Sequence, residues 1–453
     1  MSFPNYPALK SSGMDWIGEV PEHWYIYRSK NIFSERNVKA VESDEQLTAS
    51  QKYGVIPQKL FSQLESQKVV QVILGRDILK KAEINDFVIS MRSFQGGLEF
   101  SSYSGAVSSA YVPIYAKREL DNRYFKYLFK SKPFISALQN TSNLVRDGQA
   151  LRYNNLIQLS LPFPSINEQR TIGAFLDHET ARIDMLIKEQ QRLIELLEEK
   201  RHAVISQVVT KGLDLSVSMK YSGVEWLGEV PAHWSVKALR YLGECQNGIN
   251  IGGEAFGSGS PFVSYGDVYK SNILPAEVAG LVNSSLEDRQ RYSIEYGDVL
   301  FTRTSETVDE IGFSAACLQD LKDAVFAGFL IRFRPFGNSL APEFSKYYFR
   351  NQMLRIFFNK EMNLVTRASL SQDLLKQLPV TLPPVIEQIK ISEYLDKITA
   401  EFASLLEQGR RSIDLLVERR STLISVAVTG KIDVRGWQPL ARVPSPELEQ
   451  EAV

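Results

Sequence analysis

The sequence predicts an α+β protein with a pseudo-twofold internal repeat: two similar mixed α/β domains separated by two long, paired, coiled-coil-like helices. Three observations lead there. A set of framework residues is written twice along the 453-residue chain. A heptad-spaced amphipathic stretch closes each copy. Between these constant parts lie β-branched and aromatic runs punctuated by turn residues.

The repeat begins with DWIGEVPEHW (15–24), which returns as EWLGEVPAHW (225–234), 210 positions on. EQRTIGAFLD (168–177) returns as EQIKISEYLD (387–396), and LLEEKRHAVISQVVT (196–210) as LLVERRSTLISVAVT (415–429), both 219 positions on. YFKYLF (124–129) resembles FSKYYF (344–349). The growing offset means that the second middle section carries about nine extra residues, so each half varies between two constant parts.

The elements follow in order. Strand-like runs are FVISM (87–91), AYVPIYA (110–116), DVLFTR (298–303) and FLIRFRP (329–335), with helices expected at about 120–140 and 342–360. In the first heptad block, apolar residues stand at Ile172, Leu176, Ile183, Ile187, Ile194, Leu197, Val204 and Val208. In the second they recur as Ile391, Leu395, Phe402, Leu406, Ile413, Leu416, Leu423 and Ala427, so one face is kept in both copies. Ser165 and Glu168 read as a capping box, while Pro384 replaces the capping serine in the second copy. Gly212 and Gly430 stand where left-handed C-caps are expected. Each helix would be roughly 65–70 Å long at 1.5 Å per residue, and its apolar stripe needs a partner; the other copy supplies one. The expected division is 1–164 first domain, 165–212 first spacer helix, 213–383 second domain, 384–431 second spacer helix and 432–453 a mobile tail.

Composition sets limits. Hydrophobic residues make up 44% and charged residues 23%, an ordinary globular balance. The formal net charge of −1 is not the basic excess of a free-standing nucleic-acid binder, although local basic faces can be offset by acidic helices. Cys245 and Cys317, the two cysteines, form no CxxC pair and read as reduced, buried thiols. The start of the chain shows no signal peptide and no apolar run is long enough to span a bilayer, which places the expected location in the cytoplasm.

Catalytic signatures are missing. No GxxxxGK[ST] loop occurs, and GEAFGSGSP (253–261) reads as a flexible loop. LPPV (382–385) lacks the polar and aromatic neighbours that would grip a target amine, and reads as a rigid approach to the second helix. Glu198-Glu199-Lys200 lies on a solvated helix face. His23, His178, His202 and His233 form no metal-ligand spacing; His23 and His233 read as hydrogen-bonded structural residues, and Trp16, Trp24, Trp226 and Trp234 as packing residues.

A W[IL]GEVPxHW opening, a variable α/β section, a Leu-Pro-rich approach ending in Glu-Gln and a long helix, all repeated over about residues 12–433, resemble the specificity subunits of type I restriction–modification systems. The resemblance implies that each variable section is a target-recognition domain reading one half of a split double-stranded DNA sequence. It implies that the helices act as spacer and docking site for two methyltransferase (M) subunits, joined in the full complex by motor-nuclease (R) subunits. No cofactor is implied for this chain; S-adenosylmethionine, ATP and Mg2+ belong to the partners, and this chain is not an enzyme. On this reading the helix pair is a ruler that could separate half-sites by no more than roughly 20 base pairs.

Base readout needs Arg, Lys, Asn, Gln, Ser or Thr on loops that can enter a groove. The candidate loops of the first domain are SQKYG (50–54), MRSFQGG (91–97) and NLVRDGQALRY (143–153). Those of the second are GINIGGE (248–254), TRTSE (302–306) and VTRASLSQ (365–372). The candidate DNA-binding residues are Lys52, Tyr53, Arg92, Ser93, Gln95, Arg146, Gln149, Arg152, Arg303, Thr304, Ser305, Arg367 and Ser369. A surface or scaffold role competes for each. Two other readings of the whole chain stay open: a non-catalytic coiled-coil scaffold with two protein-binding domains, and a methyltransferase acting alone, which S-adenosylmethionine binding by the isolated chain would support.

Replacing Ile187 and Leu406 by Asp puts charge in the predicted helix seam. The expected outcome is a lower melting temperature and a larger hydrodynamic radius; unchanged values would rule out the helix pair.

Overall fold

A computed structural model describes residues 3–66, 78–141, 151–305, 310–361 and 368–438, with the backbone alone for Ser305, Glu361 and Ala368. Contacts divide the chain into two units, one formed by Met1–Gln191 with Arg411–Val453 and the other by Arg192–Arg410.

The repeated strand signals build the same antiparallel sheet in each unit. In the first its order is Phe33–Glu35, Val112–Ala116, Phe87–Ile89, Glu99–Phe100. In the second it is Gly243–Asn247, Leu330–Pro335, Val299–Thr302, Ser314–Ala316. The middle strand is buried at every position and apolar at all but Thr302, as a strand covered on both faces requires. One helix was expected at 120–140; two form, Asn122–Lys130 and Lys132–Asn140. Ser131 is extended between them because Pro133 has no N–H to continue the first helix but fits the first turn of the second. In the second unit the expected 342–360 helix likewise divides into Pro342–Tyr348 and Leu354–Glu361. Tyr124, Phe125, Leu128 and Phe129 are fully buried, with Phe33, Phe87 and Phe129 packed edge-on or tilted at 4.9–5.8 Å.

A buried carboxylate at the entrance to each middle strand ties the sheet together. Asp86 receives Arg36 through Nε at 2.6 Å and Nη2 at 2.8 Å. Asp298 receives Arg334 through Nε at 2.8 Å and Nη2 at 2.7 Å. Each aspartate also closes its own turn, accepting from Glu83 N and Glu295 N. The arginines come from different strands of the sheet, so the carboxylate is the constant element.

Outside the shared sheet the halves differ. The first unit adds the hairpin Leu47–Ser50/Gly54–Pro57 and the pair Lys80–Ala82/Gly105–Val107 over a small core of Leu47, Val55, Ala82, Val88 and Val107. The second adds a three-stranded sheet of Leu281–Val282, Phe256–Val263 and Val325–Phe326 over a larger core. Residues 253–261 are therefore not the flexible loop expected: most of them belong to strand Phe256–Val263, whose register breaks between Phe256 and Ser260, where Gly257 and Gly259 take positive φ.

The heptad blocks form single helices, Ile166–Lys211 and Val385–Val428. In the first unit Ile172 and Leu176 share a core with Ile424, Ala427 and Val428, and Asp184 pairs with Arg420 at 2.8 Å. The helices there run antiparallel. In the second unit Val208 and Val209 share a core with Ile391 and Leu395, and a Cβ on Gly409 would stand 3.0 Å from Ile194, again antiparallel. Every heptad position named above is buried or half-buried. Gly212 and Gly430 take positive φ at the helix ends, as the sequence indicated.

The start of each helix is held by its Glu-Gln pair. Gln169 accepts from Asp121 N and donates to Pro164 O, both at 2.9 Å. Gln388 accepts from Ala341 N at 2.7 Å and donates to Pro383 O at 2.9 Å and Ser339 O at 3.0 Å. The capping box forms by half: Glu168 N donates to Ser165 Oγ, but the Glu168 carboxylate turns to Tyr6 Oη at 2.7 Å and His23 Nε2 at 2.9 Å. In the second unit Glu387 takes His233 Nε2 at 2.8 Å and Trp234 Nε1 at 3.1 Å. The histidines are thus structural, and Trp24 and Trp234 are fully buried.

Residues 433–437, expected to belong to a mobile tail, are packed on the first unit. Asp433 N donates to Pro4 O at 2.7 Å, Val434 is buried, and Trp437 packs on Phe175 at 5.5 Å and His178 at 5.4 Å. The aromatic and aliphatic residues of an aperiodic stretch found a core that periodicity does not reveal. Residues 439–453 lie outside the described residues.

Asp298→Ala would remove the buried acceptor of Arg334 Nε and Nη2, leave that guanidinium on Glu295 and Ser293, and open the 295–298 turn. A loss of about 3 kcal/mol is expected, read as a lower urea midpoint; an unchanged midpoint would show that the pair does not hold the sheet.

Candidate nucleic-acid interface

The loops singled out in the first half converge on the end of helix Lys132–Asn140. Gln139 donates through its amide to Phe94 O, and the carbonyl of Thr141 accepts from Asn155 Nδ2 at 3.1 Å. The turn at 91–97 and the residues at 152–155 are thereby fixed to one helix terminus. Gln51 packs directly on Gly96, where a Cβ would collide with it, so the 50–54 turn joins the same cluster. Gly97 takes φ +74° and passes so close to Phe129 O that no side chain fits.

Arg92, Gln95 and Arg152 are exposed at this cluster. Ser93 is fully buried, and its Oγ accepts from Ser90 N at 2.8 Å, so it shapes the turn and is not placed to touch a base. Lys52 and Tyr53 both bind Glu65, at 2.9 and 2.7 Å, and the Lys52 ammonium lies 4.8 Å from the Tyr53 ring. Hydrogen bonds with Tyr53 and Glu65 push the Lys52 ammonium up, and Lys52 and Tyr53 hold Glu65 below the usual carboxylate range. Lys52 therefore keeps its charge but already has a counter-charge. Arg146 and Gln149 lie outside the described residues.

The second half brings equivalent segments together with different chemistry. Thr304–Ser305 pairs with Ala368–Ser369, placing Thr304 opposite Ser369 and Ser305 opposite Ala368. Arg303 O accepts from Leu370 N at 2.7 Å, and Arg303 N donates to Phe329 O at 2.9 Å. The Arg303 Nε is buried without a hydrogen-bond partner among the described residues. Ser369 is exposed and Thr304 half-buried. Arg367 and the side chain of Ser305 lie outside the described residues. The 248–254 stretch is partly scaffold: Ile249 is buried, and Ile249 N donates to Phe326 O at 2.9 Å.

The structure adds Gln51 and Phe329 to these clusters. Phe329 is 63% exposed at the mouth of an otherwise buried strand. The sequence places it at the head of the strand-like run 329–335; the adjacent Gly328, pressed against Asn250, is the available sign of a turn outward. Gln51 belongs to the candidate turn 50–54, beside Lys52 and Tyr53.

Other chemistry is sparse. Among the described residues no group of three or more His, Cys, Asp or Glu could hold a metal ion, and no helix is long and apolar enough to cross a membrane. Burial pushes the Cys245 thiol up to about 12 and Cys317 up to about 11, which keeps both protonated at neutral pH.

The family described as type I restriction modification DNA specificity domain matches residues 21–196 and again 233–413. The chain is 24% identical over 299 residues to the type I restriction enzyme EcoKI specificity subunit of Escherichia coli (strain K12), a match covering 64% of this chain and 60% of that subunit. It is 21% identical over 393 residues to the StySPI specificity subunit of Salmonella potsdam, covering 83% and 81%. A chain from a solved structure concerning complex assembly and conformational transition of the type I R-M system superposes with a TM-score of 0.68 at 15% identity, over 91% of this chain and 99% of the other. With two copies of the specificity domain covering most of its length, the chain belongs to the family of type I restriction–modification specificity subunits.

Proposed function

We propose that this chain is the non-catalytic DNA reader of a type I restriction–modification complex, and that each half reads one part of a bipartite target. The observation that carries the reading is the repeated junction. In the first unit the segment leaving the middle strand and the segment at 152–155 are both bonded to the end of helix Lys132–Asn140, through Gln139 and Thr141, and in the second unit the corresponding segments are bonded directly, Leu370 to Arg303. The frame is shared while the side chains it presents differ: exposed Arg92, Gln95 and Arg152 against exposed Ser369 and Phe329 with half-buried Thr304. A constant frame presenting two different polar surfaces is what reading two dissimilar half-sites requires.

The long helices are the proposed docking surface for methyltransferase subunits and, through them, the motor-nuclease subunits. Met185 in the first unit and Ile386 in the second, 62% and 73% exposed, are apolar residues on the outer faces of these helices that the helix seam leaves uncovered. The partners would supply S-adenosylmethionine, ATP and Mg2+ chemistry, and the complex would work in the cytoplasm.

Co-expression with the cognate methyltransferase subunit, followed by single-molecule mapping of adenine methylation across the host genome, tests the reading. A split motif with two dissimilar halves is expected. A stable, cofactor-bound complex that methylates nothing would favour the scaffold reading instead.

Single substitutions then separate readers from frame. Arg92→Ala should relax the motif at one half-site, with a cost of about 1–3 kcal/mol for a lost bidentate base contact. Ser93→Ala should leave the motif unchanged and lower stability by about 1 kcal/mol, measured as a shift in thermal midpoint.

A further inference from the structure

The second unit contains a cavity of about 990 Å³ between its long helices and its sheet domain. Arg201, Lys270, Lys346, Arg350 and Arg355 line it with five positive charges, beside His202, and Asp396 is the one carboxylate among the lining residues. Lys346 takes Asp396 at 2.6 Å. Arg350 spends its guanidinium on the carbonyls of Val268, Tyr269 and Ser314 and lies 4.3 Å from the Phe313 ring. Those contacts orient the arginine without cancelling its charge. Arg201 and Lys270 make no hydrogen bond or ion pair among the described residues. Desolvation, followed by repulsion from Arg201, lowers the His202 pKa, consistent with an excess of positive charge there.

The repeat supplies an internal control. Arg201 corresponds to Arg420, and Arg350 to Lys130. In the first unit both cations are neutralised: Arg420 by Asp184 at 2.8 Å, and Lys130 by Glu99 at 2.6 Å. The position equivalent to Asp184 is Ala403. The position equivalent to Glu99 is Ala315, since Glu99 pairs with Val88 and Ala315 with Leu300 at the same place in the sheet. The second unit has kept both cations and lost both counter-charges. Clustered cations that outnumber their carboxylates repel one another, and an anion that bridges them relieves that repulsion through charge-assisted hydrogen bonds.

We propose that this cavity is a binding site for a small phosphorylated molecule, held by Arg201, Lys270 and Arg350, and that it exists in the second unit alone. Its volume matches pockets that enclose small ligands, typically ~300–1,000 Å³. None of its lining residues belongs to the loops assigned to DNA reading in that unit, and its occupancy does not depend on that assignment.

The test is calorimetric titration of the full chain with inorganic pyrophosphate and with ADP. One saturable site is expected, weakened at least tenfold by Arg201→Ala and by Ala403→Asp. The second variant restores the first unit's counter-charge at an exposed position and should leave the circular dichroism melt unchanged. Absence of saturable binding at millimolar ligand, or binding indifferent to both variants, would overturn the proposal. So would stoichiometric displacement of ADP by duplex DNA together with equal loss of duplex binding in Ala403→Asp, because the cations would then lie on a DNA path.

Discussion

The Glu-Gln pair at the start of each long helix is the constraint on which each unit depends. Gln169 and Gln388 are fully buried, and their amides serve both as donor and acceptor to backbone groups that would otherwise be unsatisfied. The acceptor side fixes the N-terminus of the domain helix, and the donor side fixes the approach to the long helix. The adjacent glutamate then gathers the His-Trp end of the opening motif. A glutamine at this position meets both geometries because its oxygen and nitrogen diverge from one carbon.

The two units solve the same problem with different donors. Glu168 is satisfied by Tyr6 and His23, and Trp24 Nε1 is left without a partner among the described residues. No tyrosine stands at the corresponding place in the second half, and Trp234 Nε1 turns to Glu387 instead. The sheet shows the same economy: Asp86 and Asp298 are equivalent, but Arg36 and Arg334 reach them from different strands. Carboxylates at fixed turns tolerate a change of partner because either guanidinium can present a fork to both oxygens.

This division between constant and exchangeable parts underlies the proposed function. Contacts that set the frame are buried and reciprocal, so a change at one end costs stability. Side chains on the segments between them are exposed, so they can change with the DNA sequence to be read at little cost to the fold. The added three-stranded sheet in the second unit packs on one face of the shared sheet, through Leu300, Ala315 and Leu330, while Val299, Phe301 and Ile331 on the other face stay in the core with the helices.

Much of the architecture was legible in the sequence because it is periodic or repeated. The two copies, the heptad faces, the four strand runs and the glycine caps each rest on local spacing, which dictates which side of a helix or strand is apolar. Local spacing says nothing about which distant residue meets that side. Only the tertiary structure decided that Ile172 and Leu176 share a core with Ala427 and Val428, that Trp437 closes on Phe175, that Ser93 faces inward while Arg92 faces out, and that Arg420 has a carboxylate where Arg201 has none. These depend on neighbours far apart in the chain, and burial or charge pairing is a property of the neighbours together rather than of either residue alone.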